Sequence, residues 1–117
     1  MKICSFTVPG RAVPAVRMNY RGRKTKASVR YMHYRNQVSW IARSEYRGAP
    51  VKCDVGVNIN IYLSGGVQGD VDNYFKSITD SMNKLIYNDD RQIKEMSARK
   101  IECNKDEERV EVIVYEL

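Results

Sequence analysis

The chain has 117 residues, a hydrophobic fraction of 43% and a formal net charge of +6. That length fits one domain with a core of its own, and the apolar runs are too short for a membrane span. The three cysteines, Cys4, Cys53 and Cys103, are odd in number and far apart, which argues against a disulfide framework and against a zinc ribbon or finger.

Each cysteine reads as a small apolar strand residue, so a reducing, cytoplasmic setting is expected. The opening MKICSFTVPGR lacks the apolar run of a signal peptide. Charge is unevenly spread: residues 1–44 hold ten Lys plus Arg and no acid, whereas residues 45–117 hold ten bases and fourteen acids, a balance of +10 against −4. Such asymmetry within one domain points to a polyanionic partner.

KICSFTV, residues 2–8, reads as a strand that Pro9-Gly10 stops. Residues 11–30 carry seven bases, two internal breakers (Pro14 and Gly22) and no period of either kind. They are expected to form a basic flexible loop, from about residue 9 to residue 30. Its bases, Arg11, Arg17, Arg21, Arg23, Lys24, Lys26 and Arg30, are the candidates for gripping phosphates. Residues 31–47 look helical, with Tyr31, Tyr34, Val38, Ile41, Tyr46 and Trp40 in a broad apolar stripe. The alternation of Val55, Val57, Ile59, Ile61 and Leu63 within residues 52–63 predicts a strand with one face in the core.

After a turn at Ser64-Gly65-Gly66, residues 71–86 read as a second helix, with Phe75, Ile78, Met82, Leu85 and Ile86 on one side. Two strands follow, roughly 94–103 and 109–117, joined as a hairpin by residues 104–107. The whole is an α/β (α+β) pattern in a single small domain, order β-α-β-α-β-β, with two helices packed on a mixed sheet.

The chemistry concentrates in GDVDNYFKSITDSMNKLIYNDD, residues 69–90, which holds five of the fourteen acids. Ordinary capping of the second helix accounts for Asp70 and Asp72 in part. It does not account for Asp89-Asp90, which follow the same helix at its other end. If the chain folds back so that Asp70, Asp72 and Asp90 converge, their repulsion calls for a hard cation, Mg2+ or Mn2+. Lys76, one helical turn after Asp72, would pair with that carboxylate or offset charge on a transition state. The lone His33 has no Cys or His neighbours in sequence to make a metal site, and no phosphate-cradling glycine motif occurs. A basic loop with an acidic metal site and no histidine base points to phosphodiester hydrolysis.

Asp70-Val-Asp72-Asn73-x-x-Lys76, then Asp80, then Asp89-Asp90-x-Gln92-Ile93 resembles the RusA family of Holliday junction resolvases. The resemblance implies a small homodimeric, Mg2+-dependent endonuclease with an α/β fold of the family's own. It implies paired symmetric nicks in four-way junction DNA during recombination and repair, in a bacterial or phage-infected cell, with no small-molecule cofactor. It carries the catalytic and metal-binding carboxylates onto Asp70, Asp72 and Asp90, and the essential lysine onto Lys76. DNA contacts carry over only as the basic loop. Two other functions stay open: a basic nucleic-acid-binding module whose acids only cap and solvate, and a nuclease for flaps or other branched DNA.

Overall fold

The computed structural model describes residues 1–17 and 25–117. Four strands, β1 (Lys2–Pro9), β2 (Val55–Leu63), β3 (Ile93–Glu102) and β4 (Arg109–Glu116), form one sheet in the order β1-β4-β2-β3. Two helices, α1 (Lys26–Glu45) and α2 (Val71–Met82), complete a mixed α+β domain. β2 and β3 are parallel, joined through α2, while β4 runs antiparallel to both β1 and β2.

Alternation builds the core. Phe6 and Val8 of β1, Val57, Ile59 and Ile61 of β2, and Val110, Val112 and Val114 of β4 are all buried. They meet Tyr34, Val38 and Ala42 of α1 and Phe75, Ile78 and Met82 of α2. The opposite sheet face is half-covered at best, with Asn58, Asn60, Tyr62 and Ile113 partly or fully exposed. There the Tyr115 ring lies over Gly56, where an added Cβ would sit 2.3 Å from the ring, and its hydroxyl donates to Glu95 Oε1 at 2.7 Å.

Three elements depart from expectation. First, α1 begins five residues early. Thr25 caps it: Ser28 N–H donates to Thr25 Oγ1, and Thr25 N–H donates to Ser28 Oγ, both at 3.0 Å. This reciprocal cap recruits Lys26 and Arg30 into the helix rather than the loop. Arg21, Arg23 and Lys24 lie outside the described residues.

Second, β3 and β4 are not a hairpin. β4 sits between β1 and β2, and β2 separates it from β3. The burial patterns explain the order. β4 buries Val110, Val112 and Val114 and suits a central place, whereas β3 is almost wholly exposed and carries Lys94, Glu95, Arg99 and Lys100, as a protected edge strand does.

Third, α2 ends at Met82, four residues short. Lys84 takes a positive φ of 67°, and the chain turns so that Ile86 and Tyr87 are wholly buried. Tyr87 O–H donates to Thr79 O at 2.6 Å. The apolar period runs on past the helix because a buried turn, not a further helical turn, uses those side chains.

Candidate active site

The β2-α2-β3 unit positions the acids. At one end, Lys100 near the close of β3 donates to Gly69 O at 3.1 Å, just before α2. At the other, Asp90 just before β3 faces Lys76 and Asp80 of α2. β3 therefore runs back along α2 in the opposite sense. The return carries Lys100, not Asp90, to the start of the helix, and Asp90 stays beside its middle and second half. Asp72, Lys76 and Asp80 are spaced by four, so they line one stripe at about 6 Å per step, exposed at Asp72 and Lys76 and half-buried at Asp80.

The approach to Asp70 is braced. Arg11 donates from Nη2 to Gly65 O at 2.9 Å and to Val67 O at 3.1 Å, and pairs with Glu108. Backbone and guanidinium bonds hold the Glu108 carboxyl below its ordinary range, Ser64 N–H first. Arg11, one of the candidate phosphate contacts, is thus a clasp on the loop that leads into α2. Gly69 meets Pro14, where an added Cβ would lie 2.9 Å from the proline ring, and Ala15 N–H donates to Asn73 O at 2.9 Å. These contacts strap the start of the basic segment to the first turn of α2, with exposed Arg17 two residues beyond Ala15.

The carboxylates are not spent on local structure. Asp70 occupies the N-cap position of α2 yet makes no capping hydrogen bond with its side chain. Among the described residues, the only salt bridges are Arg11–Glu108, Arg91–Asp89 and Arg109–Glu111, so Asp72 and Lys76 do not pair. A side-chain cap from Asp70 and an Asp72–Lys76 ion pair are therefore both missing among the described residues, while Asp72 sits in the first turn of α2, where its charge favours the helix dipole.

Asp89 and Asp90 divide their work. Asp89 caps a short 3-10 turn, accepting from Arg91 N–H at 2.9 Å, and that bond holds its carboxyl below the usual value. Asp90 has the opposite environment. Partial burial raises its pKa, the charges of Asp80 and Asp89 raise it further, and Lys76 opposes them. Gln92 holds the turn. Its Oε1 accepts from Asn88 N–H at 2.8 Å and Asp89 N–H at 2.9 Å; its Nε2 donates to Val51 O at 2.8 Å and Cys53 O at 2.9 Å. The Asp-Asp-x-Gln spacing is thus a cap, a free carboxylate and a brace.

Asp80, which the motif includes between Lys76 and Asp89, accepts from Tyr31 O–H at 3.3 Å. Burial first, then Asp80, lifts the Tyr31 hydroxyl to about 12. Arg35 lies over the same ring at 5.5 Å. The sequence signal for Asp80 was its four-residue step from Lys76, which sets it on the same stripe; Tyr31 and Arg35 had no such signal.

Among the described residues, no three His, Cys, Asp or Glu side chains stand together as a preformed ion cage. Asp70, Asp72 and Asp90 are not gathered into one cluster as they stand. The donor set nonetheless suits a hard cation. The donors are exposed carboxylate oxygens, and Asp90 bears repulsion that a cation relieves. Mg2+ binds through one or two carboxylates and completes its shell with water and substrate phosphate, so it needs no closed protein cage.

The domain thus joins an acid-lined crossover helix to a basic segment strapped to its first turn. The family model of the endodeoxyribonuclease RusA matches residues 9–115, and the chain belongs to that family. Among curated proteins, the chain is 44% identical over 48 residues to the uncharacterized protein YqaN of Bacillus subtilis (strain 168). That match takes in 41% of this chain and 32% of the relative's own length. The family model is that of an endodeoxyribonuclease, and its match spans nearly the whole of this chain. Among the described residues, no helix is long and apolar enough to cross a membrane.

Proposed function

We propose that this protein is a Mg2+-dependent endodeoxyribonuclease that resolves Holliday junctions by paired symmetric nicks, acting as a homodimer. One observation carries the reading. Asp70, Asp72, Lys76 and Asp90 make no side-chain hydrogen bond or ion pair among the described residues, while their neighbours Arg11, Asp89 and Gln92 are fully engaged in holding the backbone around them.

Asp70, Asp72 and Asp90 would hold the ion, with side-chain movement and a DNA phosphate completing its shell. When bound, Mg2+, or Mn2+ in its place, supplies positive charge at the scissile phosphate and eases deprotonation of the attacking water. The chain's own groups do the rest. Lys76 offsets charge that builds on the phosphate oxygens as the new O–P bond forms and the leaving P–O bond breaks. Arg17, Lys26 and Arg30, with Arg21, Arg23 and Lys24 between them, grip the backbone without reading sequence. A four-way junction has two-fold symmetry, and a C2 dimer would set two such sites on matching strands.

The test is a labelled mobile four-way junction incubated with and without Mg2+, with the nicks mapped. Paired, symmetric, Mg2+-dependent nicks are expected. Cutting of flaps in preference to junctions would redirect the substrate assignment, and tight binding without nicks would leave only a binding module.

A further inference from the structure

Away from the acids, a groove of about 520 Å3 opens between the end of α1 and the turn that follows α2. Trp40, Arg43, Arg47, Pro50, Lys84 and Leu85 line it. Trp40 departs from the stripe in which the sequence placed it. It is 76% exposed, although Tyr34, Val38 and Ala42 of the same helix are buried. Two residues past Val38 it points to the far side of α1, so core packing does not explain it.

Charge selects the occupant. Three cations and no acid line the groove. A second copy of the chain, docking this face on itself, would bring six cations together, which opposes self-association here. The backbone also favours display of charge. Lys84 holds a left-handed conformation, φ 67°, in which a residue with a Cβ is strained, and its N–H donates to Tyr87 O at 2.7 Å. That turn sets the Lys84 ammonium at the groove and within the field of Asp89, next to Asp90. Pro50 adjoins Val51, whose carbonyl Gln92 holds. The groove is therefore continuous with the Asp89–Gln92 turn.

The geometry points to this groove as a second DNA subsite, where an unstacked base lies on Trp40 and Arg43, Arg47 and Lys84 hold the flanking phosphates. The inference rests on the nuclease reading for the identity of the polyanion, and supplies a place for one strand leaving the candidate active site. A base stacked on an aromatic side chain tightens binding by about tenfold whatever its sequence, as a junction enzyme requires of a contact away from the cut.

Trp40 is the single tryptophan of the chain, so its emission reports on this groove alone. The full-length protein, in EDTA, is titrated with an oligothymidylate and with a four-way junction. Saturable quenching of Trp40 is expected. The Arg43→Ala/Arg47→Ala/Lys84→Ala variant should shift its midpoint by about tenfold or more. Read by anisotropy of a labelled oligonucleotide, Trp40→Ala should lose about tenfold and Trp40→Phe much less. These titrations read binding and not cutting, so a failed nuclease assignment stays distinguishable from a failed subsite. Three outcomes would overturn the subsite: unchanged emission while anisotropy reports bound DNA, quenching indifferent to the triple variant, or quenching by an acidic peptide and not by DNA.

Discussion

The two carboxylate pairs that bracket α2 are built differently. At Asp70 and Asp72 neither side chain makes a capping hydrogen bond or an ion pair among the described residues, and the bracing comes from outside, through the Arg11 clasp and the Pro14–Gly69 contact. At Asp89 and Asp90 the pair is internally divided: one carboxylate is spent on the turn, and the other, raised in pKa by partial burial and by Asp80, is left over. The lesson is that an acidic motif is not a count of ligands. Which acids are available depends on which of them the local backbone has already used.

Asp72→Asn carries the largest expected effect. It should cut Mg2+-dependent nicking by on the order of 10³-fold while junction binding, followed by gel shift, holds or tightens. Normal cutting would remove Asp72 from the site. Next in size is the basic segment: neutralising Arg21, Arg23, Lys24 and Lys26 together should flatten the slope of log affinity against log salt by about three units. An unchanged slope would take the segment out of the DNA interface.

Gln92→Ala tests the brace. It leaves the Val51 and Cys53 carbonyls without their donor, so a loss of about 2–3 kcal/mol in urea unfolding is expected, together with slower nicking. Asp89→Ala should cost less stability, since its cap is exposed and local. Equal losses would mean that the Asp89 cap holds the turn as much as Gln92 does.

The smallest effect concerns Asp90. Its folded carboxyl sits above the ordinary 3.8, so folding favours its protonated form. The stability tied to it is fully present below the unfolded value and is lost as pH rises through the folded value. In the absence of metal, Asp90→Asn should therefore melt slightly higher than the parent at neutral pH, with the advantage gone below pH 3.8. Added Mg2+ should raise the parent's melting temperature and not the variant's. A parent more stable than the variant in EDTA would show that Asp90 is engaged rather than left over.

Much of this was legible in the residues. Alternation in β2 and β4, the breakers after β1, and the acid-rich start of α2 all carry period-2 or period-3.6 signals that local sterics enforce. The early start of α1 was missed because Ser28 closes the cap in place of the usual Glu or Gln. Trp40 was misplaced because a broad stripe of aromatics hides which member faces out. The end of α2 was missed because Leu85 and Ile86 keep the apolar spacing while the backbone turns at Lys84.

By itself the sequence determined the elements, the segregation of base from acid, and the membership of Asp70, Asp72, Lys76 and Asp90 in one motif, since each depends on residue type and spacing alone. Only the tertiary structure decided that β4 enters between β1 and β2, that Asp80 binds Tyr31 and lies in the field of Asp90, and that Trp40 joins three cations in a groove. These depend on contacts across long stretches of chain, where burial of β4 and exposure of β3 select one strand order from several that the same pattern would allow.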